Sequence, residues 1–161
     1  MPGEGKCFGT AALKRFESDV FDFEAPDYVV ILEGVNDLMH PYVFGYPNEV
    51  VTANDLIKAI TKLICIAKAH GTEVYLGTVM PFRNDDMKWI PKAEQVRNEL
   101  NDWIRTQSIA DGIIDFDVSM RKDENKEYLR ADVHIGDGLH PNTNGGVVMA
   151  EQVPIHTMLR H

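Results

Sequence analysis

The amino-acid sequence predicts an α/β domain of three layers, with helices on both faces of a parallel sheet. Short apolar runs of strand character alternate with amphipathic segments of helical period, in the order α-β-α-β-α-β-loop-α. The first strand run, Tyr28-Val29-Val30-Ile31-Leu32, is continuously apolar instead of alternating, as in a strand covered on both faces. The 161 residues are 44% hydrophobic and 25% charged, an ordinary globular composition of a length that fits one domain spanning residues 1–161.

Each element has its own signature. Over residues 10–23, Leu13, Phe16 and Val20 recur at helical spacing among charged residues, and Ala25-Pro26-Asp27 ends that helix. The strand over 28–32 follows. Residues 33–49 are polar and contain Gly and Pro, and read as a connection. A second helix is predicted over 54–70, with Leu56, Ile57, Ile60, Leu63, Ile64 and Ala67 on one face and Gly71 as its cap. Residues 73–79 form the next strand, stopped by Pro81. Pro91 opens a third helix whose stripe is Ala93, Val96, Leu100, Trp103 and Ile104. A third strand is predicted over 113–118, a charged exposed loop over 121–130, and a last helix over 147–159 that Pro154 shortens or kinks.

Charge and hydropathy exclude several function classes. Sixteen Lys and Arg against 25 Asp and Glu leave a net charge of −9, which repels nucleic-acid backbones and anionic lipid surfaces. The longest apolar segments, near residues 29–32 and 60–67, are far shorter than the ~20 residues of a membrane span. The first residues carry neither an export signal nor a lipidation motif, and the compartment stays unassigned. Cys7 and Cys65 match no metal or redox spacing, and Cys65 reads as a core residue.

In open parallel sheets, ligands bind beyond the carboxyl ends of the strands, so the chemistry is sought in the loops there. Glu33-Gly34-Val35-Asn36-Asp37 follows the first strand and offers the Asn36 amide, on a Gly-containing turn, to a developing oxyanion. Asp137-Gly138-Leu139-His140-Pro141-Asn142 precedes the last helix. Its spacing lets Asp137 accept from one ring nitrogen of His140 and leaves the other free as a general base.

These two blocks, in this order, resemble the third and fifth sequence blocks of the SGNH hydrolases, also called GDSL esterases or lipases. The resemblance extends from about Gly9 onward, through Ala12-Leu13-Lys14-Arg15-Phe16, Asp19-Val20 and the strand before Gly34. It implies a flavodoxin-like SGNH fold and a carboxylic ester hydrolase. Asn36 would be an oxyanion-hole donor, Gly34 would shape its turn, His140 would be the base and Asp137 its orienting acid. The implied partner is a small ester: a lipid, an acetylated sugar or an aryl ester. No cofactor and no metal are expected.

The sequence departs from that family at its start. Family members open with a strand ending in a Gly-Asp-Ser turn that supplies the nucleophile, and no such block precedes the first helix here. Ser18, Ser108 and Ser119 all lie off any Gly-flanked elbow. The chain therefore reads as N-terminally truncated, with about three strands, or as one that completes its sheet by self-association through the open edge of the strand over 28–32. The alternative function is a catalytically inactive binding protein of the same descent. Cys7, in Gly5-Lys6-Cys7-Phe8-Gly9, has the form of a replacement nucleophile without the strand that such an elbow needs. Asp132 and His134 repeat the acid and imidazole pairing, but without the spacing of a metal site, so His134 reads as a loop residue at the pocket mouth. His40-Pro41 is expected on the pocket rim, Phe82 and Trp89 against the substrate, and Arg83 and Lys88 near the same loop.

Overall fold

The structure is a computed structural model that describes residues 9–84 and 91–159. Its centre is a sheet of three parallel strands, β1 (Tyr28–Ile31), β2 (Glu73–Gly77) and β3 (Gly112–Ile114), in that spatial order. Val29 lies opposite Val74, and Tyr75 opposite Gly112. All three carboxyl ends point the same way, so the loops that leave them gather at one end of the molecule. Among the described residues β1 has a single strand neighbour, β2.

Helices α1 (Ala12–Phe21), α2 (Val35–Val43), α3 (Ala53–Ala69) and α4 (Pro91–Thr106) are joined by one apolar core with the sheet. Side chains alternate along β2: Val74 and Leu76 enter this core, while Tyr75 enters a smaller cluster with Ile114, Phe116 and Met158 on the other face. Helices α5 (Phe116–Met120), α6 (Thr143–Gln152) and α7 (Ile155–Met158) contribute to that second layer. The three-layer α/β/α order is thus the predicted one. Helix α3 starts in a capping box between Thr52 and Asp55 and buries Leu56, Ile60, Leu63, Ile64 and Ala67. Each fully buried leucine there is worth roughly 2–5 kcal/mol against alanine.

Local readings need correction in several places. Residues 33–49 hold helix α2, not only a connection. Val35, Leu38, Met39 and Tyr42 have helical spacing and pack on the core, a pattern disguised by Pro41 inside the helix. His40 and Pro41 are consequently helical: Pro41 is buried, and His40 stacks on Tyr46 and faces Glu49. Cys65 is exposed, because the core face of α3 is set by Leu63, Ile64 and Ala67. The third strand ends at Ile114, since Asp115 accepts from Val118 N–H and starts α5. Pro154 splits the last helix in two. The segment 121–130 is not wholly exposed: Leu129 is buried with Met120 and Val133.

Candidate active site

The turn after β1 is built on Gly34, whose φ of +118° lies in a region that side chains with a Cβ avoid. It redirects the chain into α2 and places Asn36 in that helix's first turn. Asn36 is exposed, and its amide has no hydrogen-bond partner among the described residues. It borders a cavity of about 270 Å³, whose walls include Leu32, Val35, Val79, Met80 and Leu139, with Glu33, Asn36 and His140 as polar members.

His140 comes to this cavity from the segment between β3 and α6. Its Nδ1 lies 2.5 Å from Asp137 Oδ2, while Asp137 Oδ1 accepts from the Leu139 and His140 N–H groups, both at 2.9 Å. Partial burial would raise the Asp137 carboxyl, but these donors, led by the His140 ring, hold it at about 2. The carboxylate is therefore ionised at neutral pH. The His140 side chain is 68% exposed, and its second ring nitrogen has no partner among the described residues. Gly138 fits tightly: its φ is +69°, and a Cβ there would come within 2.7 Å of the Arg83 carbonyl oxygen. The Asn84 amide donates to the Asp137 carbonyl from the same neighbouring loop.

Two further acids sit near Asn36. Burial pushes the Glu33 carboxyl up, and it pushes Asp37 up to about 6, with the nearby Glu33 charge adding to the effect. Neither carboxylate has a salt-bridge partner among the described residues.

The opposite wall, Val79-Met80-Pro81, is held from behind by a buried polar network that sequence reasoning missed. Asn101 clamps Val79 in both directions, accepting its N–H at 2.8 Å and donating to its carbonyl at 2.9 Å. Arg97 donates to the same carbonyl, to both oxygens of Glu94 and to Asp117. Asp117 also accepts from Arg105 and Arg121, and Asp115 from Arg105 and Thr78. Three guanidiniums thus meet the carboxylates of Glu94, Asp115 and Asp117, with the exposed Asp102 3.7 Å from Arg105 at the rim, so no buried charge in this network is left unanswered. On a helical wheel, Glu94, Arg97 and Asn101 line one margin of the apolar stripe and are buried with it. Their i, i+3, i+7 spacing was the available signal.

The structure brings Asn36 and His140 to one cavity, with Asp137 bonded to His140 outside its lining and Gly34 at the turn before Asn36. It does not bring Phe82 there, because that ring is buried in the main core. Arg83 pairs with Glu127 and lies over the Tyr128 ring. Asp132 is engaged by Arg130 and Asn144, and His134 by loop N–H groups. Among the described residues no three His, Cys, Asp or Glu side chains converge as a metal site, and no helix is long and apolar enough to cross a membrane. Cys7, Lys88 and Trp89 lie outside the described residues.

A parallel α/β sheet that carries an imidazole–carboxylate pair and a free amide around one cavity at its carboxyl end is an architecture suited to acyl chemistry. The model of the GDSL-like Lipase/Acylhydrolase family matches residues 2–146, and the chain belongs to that family. Its fold is similar to a GDSL-like lipase from Bacteroides thetaiotaomicron VPI-5482, at 23% identity and a TM-score of 0.74, over 91% of this chain and 68% of that one. It is also similar to a variant of an acetyl-xylooligosaccharide esterase from Geobacillus Stearmophilus (18%, TM-score 0.63, 93% and 67%). A third similar structure is an α/β hydrolase enzyme from the metagenome of Lake Arreo, Spain (20%, TM-score 0.66, 91% and 66%). A comparison with curated protein sequences gives no significant match. Family membership supports a general esterase or acylhydrolase function acting on small ester substrates.

Proposed function

We propose that this chain carries the acid–base and oxyanion machinery of a GDSL-type carboxylic ester hydrolase. His140 is the general base, Asp137 its orienting acid, and Asn36, on the turn shaped by Gly34, an oxyanion-hole donor. The observation that carries the reading is the 2.5 Å Asp137–His140 contact, with His140 on the same cavity as the unpartnered Asn36 amide. Asp137 fixes the proton on His140 Nδ1, so Nε2 takes a proton from the attacking hydroxyl. The carbonyl oxygen then gains charge facing the Asn36 amide, and His140 returns the proton to the leaving alcohol.

The serine nucleophile of this family is not present in the chain. Ser18 gives its hydroxyl to the Arg15 carbonyl and Ser119 to that of Phe116, and no serine borders the cavity. On this reading these residues, taken by themselves, direct a water hydroxyl to His140. Such a site retains catalysis on the order of 10³-fold over the uncatalysed reaction, from oxyanion stabilisation and binding. The small apolar cavity favours short acyl groups. Acetylated sugars, named for the Geobacillus relative, and simple aryl esters are the substrates to try first.

The placement of the serines favours a second reading, a binding protein that has lost turnover. Hydrolysis of p-nitrophenyl acetate separates the two. The hydrolase reading expects slow turnover that falls roughly 100-fold in His140→Ala. The binding reading expects no turnover above that variant.

A further inference from the structure

We infer that His134 is a positioning residue for the Asp137–His140 pair. Its catalytic consequence rests on the hydrolase reading, but its geometry does not. The backbone N–H groups of Gly136 and Gly138 both converge on His134 Nδ1, each at 3.0 Å. A ring nitrogen accepts only when it carries no proton, so His134 is neutral with its hydrogen on Nε2. Asp137 is the residue between the two tethered glycines, so the His134 ring fixes the turn from which the Asp137 carboxylate projects.

The rest of the segment continues this chain of constraint. Asp137 takes the N–H groups of Leu139 and His140, and then the His140 ring. The Ile135 N–H donates to the His140 carbonyl, and His134 bridges Pro141, closing the two ends of the loop. Apolar packing anchors the loop at Val133 and Leu139, and the Asn84 amide holds the Asp137 carbonyl, but Ile135, between His134 and the turn, is 66% exposed. Between those anchors hydrogen bonds set the shape, and His134 is the side-chain acceptor for the two glycines that flank Asp137. His134 is half-buried, and among the described residues its ring accepts only from this loop's N–H groups, so its replacement is expected to act on the loop and not on the apolar cores.

The test uses the full chain labelled with ¹⁵N-histidine and long-range ¹H–¹⁵N spectra, which read the tautomer of each ring. In the wild type, His134 is expected with an unprotonated Nδ1 and His140 with its hydrogen on Nδ1. His134→Ala should shift the neutral His140 ring toward a mixture of tautomers. It should also lower kcat on p-nitrophenyl acetate by roughly 10- to 100-fold, with KM within about twofold. His134→Asn places an oxygen at the same branch position as Nδ1 and can accept both N–H groups, so it should restore most of both properties. A protonated Nδ1 on wild-type His134 would overturn the inference without any variant. So would a folded His134→Ala that keeps the wild-type His140 tautomer, or a folded His134→Asn that rescues neither property. If the wild type shows no turnover, the hydrolase reading fails and the spectra alone decide the role of His134.

Discussion

Arg97 and His140 each meet carboxylates beside the same cavity, yet the Arg97 side chain is 1% exposed and that of His140 is 68% exposed. Around Arg97, every charge is answered by an opposite one, and the hydrogen bonds end on the backbone of Val79. Around His140, one nitrogen is tied to Asp137 and the other has no partner among the described residues. Cation–carboxylate pairs therefore occur here in two opposite settings. Sealed and neutralised, they build a wall; open and half-satisfied, they are the pair to which the proposed function gives proton transfer.

That contrast can be strained from either side. The largest expected effect is on the sealed side. Arg97→Ala leaves Glu94 and Asp117 buried without their partner and should cost about 3–5 kcal/mol, read as a lower midpoint in urea denaturation. A loss below about 1 kcal/mol would mean that the network does not hold the wall.

On the open side, Gly138→Ala pushes a methyl against the Arg83 carbonyl in a positive-φ turn. It should cost about 1–2 kcal/mol and lower ester turnover roughly tenfold, because the Asp137 turn must shift. Equal turnover in the variant would show that the turn has slack. The smallest effect concerns Asp37. Its carboxyl is raised to about 6 in the folded chain, so the native state holds that proton more tightly than the unfolded state does. Its contribution is fully present at low pH and is lost as pH rises from about 4 through about 6. Asp37→Asn should remove this slope and stabilise the protein at pH 7.5 by about 1 kcal/mol, discounted for partial exposure. Urea midpoints measured across that range check the sign.

The comparison also explains what was legible in the sequence. The strands and helices α3 and α4 were readable because continuous apolar runs and the Leu56 to Ala67 stripe follow simple periods. Asn36, Asp137 and His140 stood out because turn-forming neighbours and the Asp-x-x-His spacing advertise them. The sealed side was hidden. Arg97, Glu94 and Asn101 look like the polar margin of an amphipathic helix, and their spacing alone does not name Asp117 and the Val79 backbone, distant in sequence, as partners. His134 was visible as an imidazole, but its partners are backbone N–H groups, which no side-chain pattern reveals. Helix α2 was missed because Pro41 argues locally for a break that burial of Leu38 and Pro41 overrides.

The most direct test of the division between a structural and a chemical cluster measures denaturation and ester turnover together, in wild type, His140→Ala and Arg97→Ala. The account predicts that His140→Ala changes stability by less than about 0.5 kcal/mol while removing most turnover, and that Arg97→Ala loses several kcal/mol. A His140→Ala variant that turns over ester at the wild-type rate, or that unfolds as readily as Arg97→Ala, would contradict it.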